Sequence, residues 1–268
     1  MTQPSFTSTR RRLVSAILSW FGSWWNIVLF GVVVLTALPS SFTRNGRSAI
    51  ARQIVLGTTT NLLWFTVLSA LVSVVLIRIV VVTALSYGLS KFAIEMVVRV
   101  LVLELIPLTA ALFVAMRCTL PDSAELEQMR LEGRFETMLR QGTDPLRQEF
   151  IPRVLAGVFS VWMLAAVSCI MTLLLAYLVI YGLTPWAMPG YTRVVGHVFN
   201  PAVTLILVLK IVFFSLAVSF IPMASTYGNG FNPLRLKKPN PATGLAALVR
   251  LFAVVLLIEV TSLMGNYY

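Results

Sequence analysis

Five apolar stretches constrain this chain more than any other feature, because each is long enough to cross a lipid bilayer. A helix needs about 20 apolar residues to cross the ~30 Å hydrocarbon layer. The composition, with 58% hydrophobic and 12% charged residues, excludes a soluble globular domain. The sequence therefore predicts an all-α integral membrane protein with five transmembrane helices. The predicted spans are 54–86, 92–116, 154–183, 201–224 and 243–265.

Basic residues predict which loops face the cytoplasm, because short cytoplasmic loops carry an excess of lysine and arginine. The loop 117–153 contains six arginines, and the loop 225–250 contains four basic residues. The connections on the opposite side contain only Lys91 and Arg193. We therefore expect the N-terminus and both basic loops on the cytoplasmic side, with the C-terminus on the other side.

The apolar stretch 13–38 has two alternative roles. A sixth span would place the arginine cluster 10–12 outside, against the charge rule. We therefore favour an interfacial or re-entrant N-terminal helix, and keep an ordinary sixth span as the alternative. The side chains expected at headgroup depth are Trp20, Trp24 and Trp25.

The residues argue against an enzyme, a metal site and nucleic-acid binding. His197 is the only histidine, and Cys118 and Cys169 lack metal-ligand spacing. We expect His197 to be a solvated loop residue rather than a proton relay. The net charge of +11 is scattered between apolar runs, which favours anionic lipid headgroups as partners. No GxxxxGK[ST] motif is present, so the chain has no phosphate-binding loop of this type.

An acid and a proline interrupt the second apolar stretch. A charge at this depth is costly unless it faces protein or water, so Glu104 should point inward. Pro107 has no N–H and should free the carbonyl of Leu103, which widens the helix locally. Glu104 could pair with Arg99 or Lys210, contact a lipid headgroup or bond across a dimer. A buried pair that only fixes helix packing is the alternative.

Lys210 and Glu259 are further charges inside apolar stretches. For these two residues, and for Arg78 and Glu95, the sequence leaves the same choice between helix packing and contact with substrate. The last two spans should be neighbours, so we expect Lys210 to pair with Glu259. Removing both charges should then be milder than removing either one.

The loop 117–153 is the long polar stretch of the chain, and its segment 121–153 contains seven of the ten acidic residues. Asp122 with Glu125 has the spacing of a helix start, and Gly142 supplies a stop. We expect one amphipathic helix over 122–140. Its predicted apolar stripe is Leu126, Met129, Met138 and Leu139, with Glu136 and Arg140 as an ion pair. A solvated helix without a partner is the alternative, but an apolar stripe needs a surface to cover it, and we expect a docked subunit to provide that surface.

Three runs, ELIPLTAALFVAMR, AELEQMR and DPLRQEFIPRVLAGV, resemble the signature region of MlaE-type permeases, also called YrbE, of the MCE phospholipid-transport systems. The matching positions are Glu104, Pro107, Ala110 to Leu112, Ala115, Arg117, Ala124, Glu125, Met129, Arg130, Asp144 to Arg147, Pro152, Arg153, Ala156 and Gly157. The departures from the family pattern are Leu103, Ile106, Met116, Pro121, Asp122 and Glu127. This pattern is that of a divergent member.

The resemblance implies an ABC permease that works as a dimer in the bacterial inner membrane, with its C-terminus in the periplasm. A separate ATPase subunit would bind ATP and magnesium, and the permease itself would need no cofactor. Phospholipid would pass to a periplasmic MCE-domain protein. The whole chain, 1–268, would be a single permease domain. Its parts would be an N-terminal region 1–53, two spans in 54–116, a coupling-helix loop 117–153 and three spans in 154–268.

The resemblance also implies two functional regions. The coupling helix would contact the ATPase through Glu125, Met129, Arg130, Glu132 and Arg134. The intramembrane polar residues beside the lipid cavity would be Glu104, Pro107, Lys210 and Glu259. One alternative is a non-transporting scaffold, or the paralogous half of a heteromeric MCE assembly. Another is a secondary transporter with Glu104 and Glu259 as proton carriers. The sequence lacks the two-fold repeat of spans that is expected of such a transporter.

Overall fold

The computed structural model describes residues 24–38, 44–89, 92–228 and 241–267, and these ranges are helical apart from short turns. No strand occurs within them. The eight principal helices are α1 (Trp24–Leu38), α2 (Arg44–Ser86), α3 (Ala93–Leu131), α4 (Arg134–Arg140), α5 (Leu146–Tyr181), α6 (Met188–Val198), α7 (Pro201–Gly228) and α8 (Pro241–Tyr267).

Five of these helices are long and apolar enough to cross a membrane. They are α2, α3, α5, α7 and α8, so the predicted fold class and number of spans are confirmed. We call the side that carries α4 the basic side. The chain is a multi-pass membrane protein.

Helix α1 packs one face against the basic-side ends of α5 and α7. The Phe30 ring lies 6.0 Å from the Phe150 ring and 5.2 Å from the Tyr227 ring. At 1.5 Å per residue, α1 is about 22 Å long, which is shorter than the hydrocarbon layer. Trp20 and the rest of 13–23 lie outside the described residues. The choice between an interfacial, re-entrant or spanning segment therefore stays a prediction.

Helix α3 is the most buried of the five spanning helices. It packs against both α5 and α7, while α2 lies along α5 and α8 lies along α7. Small side chains let helix backbones approach closely where no water is present. Those buried at this core are Ala110, Ala111, Ala115, Ala165 and Ala217. The central position of α3 shields Glu104 from lipid.

Two hydrogen bonds fix α2 against α5. Thr58 bonds Ser160 at 2.8 Å, and Ser73 bonds Thr172 at 2.9 Å, in each case between buried hydroxyl groups. Such bonds between membrane helices contribute about 0.6 kcal/mol each. Because the two bonds lie 15 residues apart on α2, they set the register of the helices over about 22 Å.

The connection between α5 and α7 contains helix α6, so the expected loop around His197 is wrong. His197 itself is exposed, as expected. Tyr191 anchors α6 by donating a hydrogen bond to the Leu173 carbonyl of α5 at 2.8 Å, and its ring lies 5.3 Å from that of Tyr177. Burial, and secondarily the nearby Tyr181, raise the pKa of Tyr191 to about 12. The hydroxyl therefore keeps its proton and remains a donor near neutral pH.

The predicted single helix over 122–140 is wrong in its start and its continuity. Helix α3 runs without interruption from the membrane into the polar segment and ends at Leu131. Gly133 then takes a left-handed conformation, with φ at 71°, which separates α3 from α4. Gly142, with φ at 74°, follows α4, so the predicted stop is confirmed. Within the described residues, Glu136 and Arg140 do not form the expected ion pair.

Most of the predicted apolar stripe packs against this chain itself. Leu126 is fully buried, and it shares a cluster with Phe135 of α4 and Phe150 of α5. Met129 and Met138 pack against the same cluster, whereas Leu139 is 51% exposed. The expected covering surface is therefore provided mainly by α1, α5 and α7.

Close packing of α5 against α3 and α7 requires a glycine at position 157. A Cβ atom there would lie 2.7 Å from Ser219 Oγ and 3.0 Å from Thr119 Cγ2. We expect Gly157→Val to destabilise the protein by about 1–3 kcal/mol through overpacking. Thermal unfolding in detergent, followed by size-exclusion chromatography, should show a midpoint lower by several degrees.

Gly57→Val is the matched control, because Gly57 lies in a spanning helix and a Cβ atom added there would meet no other atom within 4 Å. Its unfolding midpoint should stay near that of the wild type. Equal losses in the two variants would contradict the packing argument.

Candidate functional site: a buried charge cluster and the basic-side helices

Three charged side chains from three spanning helices meet inside the protein. Lys210 of α7 forms an ion pair with Glu104 of α3, and its Nζ lies 2.9 Å from Glu259 Oε2 of α8. Lys210 is only 2% exposed. The predicted pairing of Lys210 with Glu259 is confirmed, and Lys210 is the partner of Glu104. We call these three residues the charge cluster.

Arg99, Glu95 and Arg78 lie in the spanning helices but outside the charge cluster. Arg99 instead pairs with Glu95, one turn away on α3, with Nε and Oε1 3.0 Å apart. Arg78 lies on the exposed face of α2. The charge cluster therefore contains residues of α3, α7 and α8, and the choice between helix packing and contact with substrate stays open for Arg78 and Glu95.

The backbone of α3 adds a further acceptor to the cluster. Lys210 Nζ donates to the Leu103 carbonyl at 3.2 Å. This carbonyl is the one that Pro107 should free, and α3 is π-helical over Val98–Leu105, just before the proline. A π-helical turn is wider than an α-helical turn and often marks a functional position. The predicted widening of the helix beside Glu104 is confirmed.

The charge cluster lies well inside the spanning helices, nearer to the ends opposite the basic side. Glu104 and Lys210 each lie about 15 Å along their helices from the ends opposite the basic side, at 1.5 Å per residue. Half of a ~30 Å hydrocarbon layer has the same thickness. Taking an ion out of water at such a depth costs several kcal/mol, so each charge needs its partners. The cluster therefore joins three helices where unpaired charges would be least tolerated.

An apolar groove opens between α7 and α8 beside the charge cluster. Its volume is about 360 Å³, and Lys210 lies in its wall. Other lining residues are Ile206, Phe213, Leu257, Ile258, Thr261 and Ser262. Such a groove can hold a hydrocarbon chain. The three N–H groups of the Lys210 ammonium are already directed at Glu104, Glu259 and the Leu103 carbonyl, so the ammonium contributes charge to the groove wall rather than a free donor.

The predicted contact residues on the basic side are arranged around the turn at Gly133. Glu132 and Arg134 form a 3.3 Å ion pair on the surface. Arg130 pairs with Glu127, and Met129 is partly buried against the apolar cluster. The role of these residues, and of Glu125, as contacts for another protein stays a prediction.

Arg153 is a buried residue to which sequence analysis gave no role. It binds Glu125 of α3 and Glu149 of α5, with Nη2 3.2 Å from a carboxylate oxygen of each. The acid four residues before it, Glu149, is a local signal of this pairing. The contact with Glu125 is long-range, and no periodic pattern in the sequence predicts it.

The part of the chain that the structure describes contains no group of three histidine, cysteine, aspartate or glutamate residues that could hold a metal ion. The charge cluster has two acids, but the Lys210 ammonium occupies the space between them. Its chemistry is that of ion pairing and hydrogen bonding.

Comparison with known proteins identifies a similar protein and a matching family model. The chain is similar to a probable ABC transporter permease protein of Rickettsia felis, with 28% identity over 148 residues. That alignment covers 53% of this chain and only 57% of the relative. A family model described as Permease MlaE matches residues 50–265, which include the five spanning helices, the charge cluster and the basic-side helices. Because that match covers most of its length, the chain belongs to the MlaE permease family.

Proposed function

We propose that this chain is the transmembrane permease subunit of an ABC transporter that moves phospholipids between the bacterial inner membrane and a periplasmic MCE-domain protein. The observation that carries the proposal is the family match over 50–265. The relative's name, a probable ABC transporter permease protein, supports the same class. The chain would contribute the membrane path and no catalytic residue.

Energy for transport would come from a separate ATPase subunit that binds ATP and magnesium. The sequence contains no phosphate-binding GxxxxGK[ST] loop. The basic-side helices offer exposed charged residues around Gly133, and Leu131 and Leu139 are 39% and 51% exposed. Exposed apolar side chains beside charges that fix register are typical of a docking surface. In this proposal the basic side is cytoplasmic, the C-terminus is periplasmic, and two permease copies rock around the lipid path.

The groove beside the charge cluster supports an amphiphilic substrate. Its walls are largely apolar, which suits an acyl chain, and Lys210 and Ser262 line it as well. Phospholipids combine long hydrocarbon chains with an anionic phosphate. The buried cluster would hold α3, α7 and α8 together beside this path.

We expect Leu139→Asp to weaken binding of the ATPase subunit, because a charge would replace an exposed apolar contact. The variant should copurify with less ATPase, and phospholipid should no longer stimulate ATP hydrolysis in the reconstituted complex. Leu183→Asp is the control: Leu183 is 88% exposed but lies on the opposite side of the membrane helices. It should retain the ATPase subunit.

Lipid transfer and ATP hydrolysis by the wild-type complex distinguish a transporter from a non-transporting scaffold. Labelled phospholipid should pass between proteoliposomes and the MCE protein only when ATP is hydrolysed. A stable complex that hydrolyses ATP at a rate independent of phospholipid, with no lipid transferred, would favour a non-transporting scaffold. Transfer driven by an ion gradient without ATP would favour a secondary transporter.

We expect Lys210→Met to be the most damaging single substitution in the charge cluster, because it leaves two buried carboxyl groups without their cation. Removing one partner of a buried ion pair costs about 3–5 kcal/mol. Adding Glu104→Gln should recover part of that loss. Thermal unfolding of both single variants and the double variant would measure a coupling of about 0.5–3 kcal/mol.

Glu259→Gln provides the comparison, since it leaves the pair between Glu104 and Lys210 intact. Its unfolding midpoint should fall less than that of Lys210→Met. Strictly additive losses in the double variant would argue against an energetic link between Glu104 and Lys210.

A further inference from the structure

Arg153 lies where the basic-side end of α3 meets the start of α5. Besides its ion pairs with Glu125 and Glu149, it donates from Nη1 to the Asp122 carbonyl of α3 at 3.3 Å. Only 7% of Arg153 is exposed. A single guanidinium group therefore joins a carboxylate and a backbone carbonyl of α3 to a carboxylate of α5.

The surroundings of Arg153 differ from those of the neighbouring surface arginine. Ile151 and Val154, on either side of it, are 0% and 2% exposed. The guanidinium group is shielded from water, whereas its partners Glu149 and Glu125 are 27% and 56% exposed. Shielding of one partner makes these charge pairs stronger than pairs between two exposed side chains. Arg147, in contrast, lies 3.5 Å from Asp144, and about half of each side chain is exposed. Exposed pairs of that kind contribute little to stability.

Both helices joined by Arg153 contain a π-helical turn next to the junction. In α3 the turn is Ala115–Thr119, between the apolar part and the basic-side end. In α5 it is Leu146–Phe150, at the start of the helix. Helices kink readily at such turns. A force applied to the basic-side end of α3 could therefore be lost in bending unless a second link carries it to the membrane helices.

We propose that Arg153 is a positioning residue that makes the basic-side end of α3 and the start of α5 move as one body. The inference rests on the proposed function, in which an ATPase subunit displaces the basic-side helices. The link carries that displacement to α5, which packs along both α2 and α7. Arg153 thus couples ATP hydrolysis to movement of the membrane helices and contacts neither nucleotide nor lipid.

Arginine suits this role because its planar group offers five donors in a fixed fork. Arg153 uses Nη2 for both carboxylates and Nη1 for the Asp122 carbonyl. Lysine keeps the positive charge but has a single nitrogen on a longer, flexible stem, so it cannot hold all three acceptors at these two separate positions. Arg153→Lys therefore tests geometry rather than charge. Arg147→Lys is the matched control, since Arg147 is exposed and lies six residues earlier on the same helix.

The first experiment uses the complete complex in proteoliposomes with labelled phospholipid. We expect Arg153→Lys to hydrolyse ATP at the wild-type basal rate while the phospholipid moved per ATP falls about fivefold or more, a typical size for coupling between sites. Arg147→Lys should match the wild type in both quantities. A parallel loss of ATP hydrolysis and transport in Arg153→Lys would overturn the proposal, because it would indicate a general folding defect.

The second experiment does not depend on transport. Backbone hydrogen exchange of the purified chain should be about tenfold faster over 120–131 in Arg153→Lys, because local opening is governed by local contacts. Arg147→Lys should leave these rates unchanged. Glu149→Gln should have a smaller effect, and it should add little to Arg153→Lys because both remove the same contact. Wild-type exchange rates in Arg153→Lys would overturn the proposed link.

The two experiments separate this inference from the proposed function. If the wild-type complex moves no phospholipid, the proposed function fails, and the exchange rates still decide whether Arg153 joins α3 to α5. If transport occurs and Arg153→Lys moves as much phospholipid per ATP as the wild type, the proposed function stands and the role of Arg153 is wrong.

Discussion

The ammonium group of Lys210 sets the constraint on which the arrangement of the membrane helices depends. A charge near the middle of a bilayer has no water to solvate it, so partners must come from protein. Lys210 finds them in the carboxylates of Glu104 and Glu259 and in the carbonyl of Leu103. Those groups belong to α3 and α8, and α7 must therefore lie between them. Pro107 makes the backbone acceptor available, because it has no N–H to bond the carbonyl of Leu103, and Lys210 donates to that carbonyl instead.

The same requirement recurs at the basic-side end of α3. Arg153 is buried like Lys210, and it too combines two carboxylates with one backbone carbonyl of α3. Helix α3 is thereby fixed at two points, to α7 and α8 inside the membrane and to α5 where it leaves the membrane. Since the same helix continues to Leu131, it connects the groove beside Lys210 with the surface around Gly133. Because α3 has a π-helical turn at Ala115–Thr119, the contact of Arg153 with α5 provides a second connection beside the helix itself.

Features governed by the bilayer were predictable from the sequence, and features governed by long-range packing were not. The spans follow from length and polarity, and the pairing of Lys210 follows from the cost of an unpaired charge. The spacing of Asp122 and Glu125 looks like a helix start, but the preceding Thr119 is fully buried and stays helical. Helix α6 was missed because its Pro and Gly residues are typical of loops, while the bond that anchors Tyr191 to α5 leaves no periodic signal. The packing of Leu126 in one buried cluster with Phe150 likewise leaves no pattern in the sequence that would predict it.

The departures from the family pattern bear on whether this divergent chain keeps a transport path. Leu103 replaces an expected arginine, yet its contribution to the charge cluster is a backbone carbonyl that no side-chain change removes. Ile106 replaces a glycine and is 2% exposed, so the larger side chain fills space inside the protein rather than blocking a surface. Met116, also in place of a glycine, is 63% exposed and meets lipid or another protein. None of the three changes removes a member of the charge cluster or a residue that lines the groove. The divergence is therefore compatible with an intact membrane path, which favours a permease over a scaffold that has lost one.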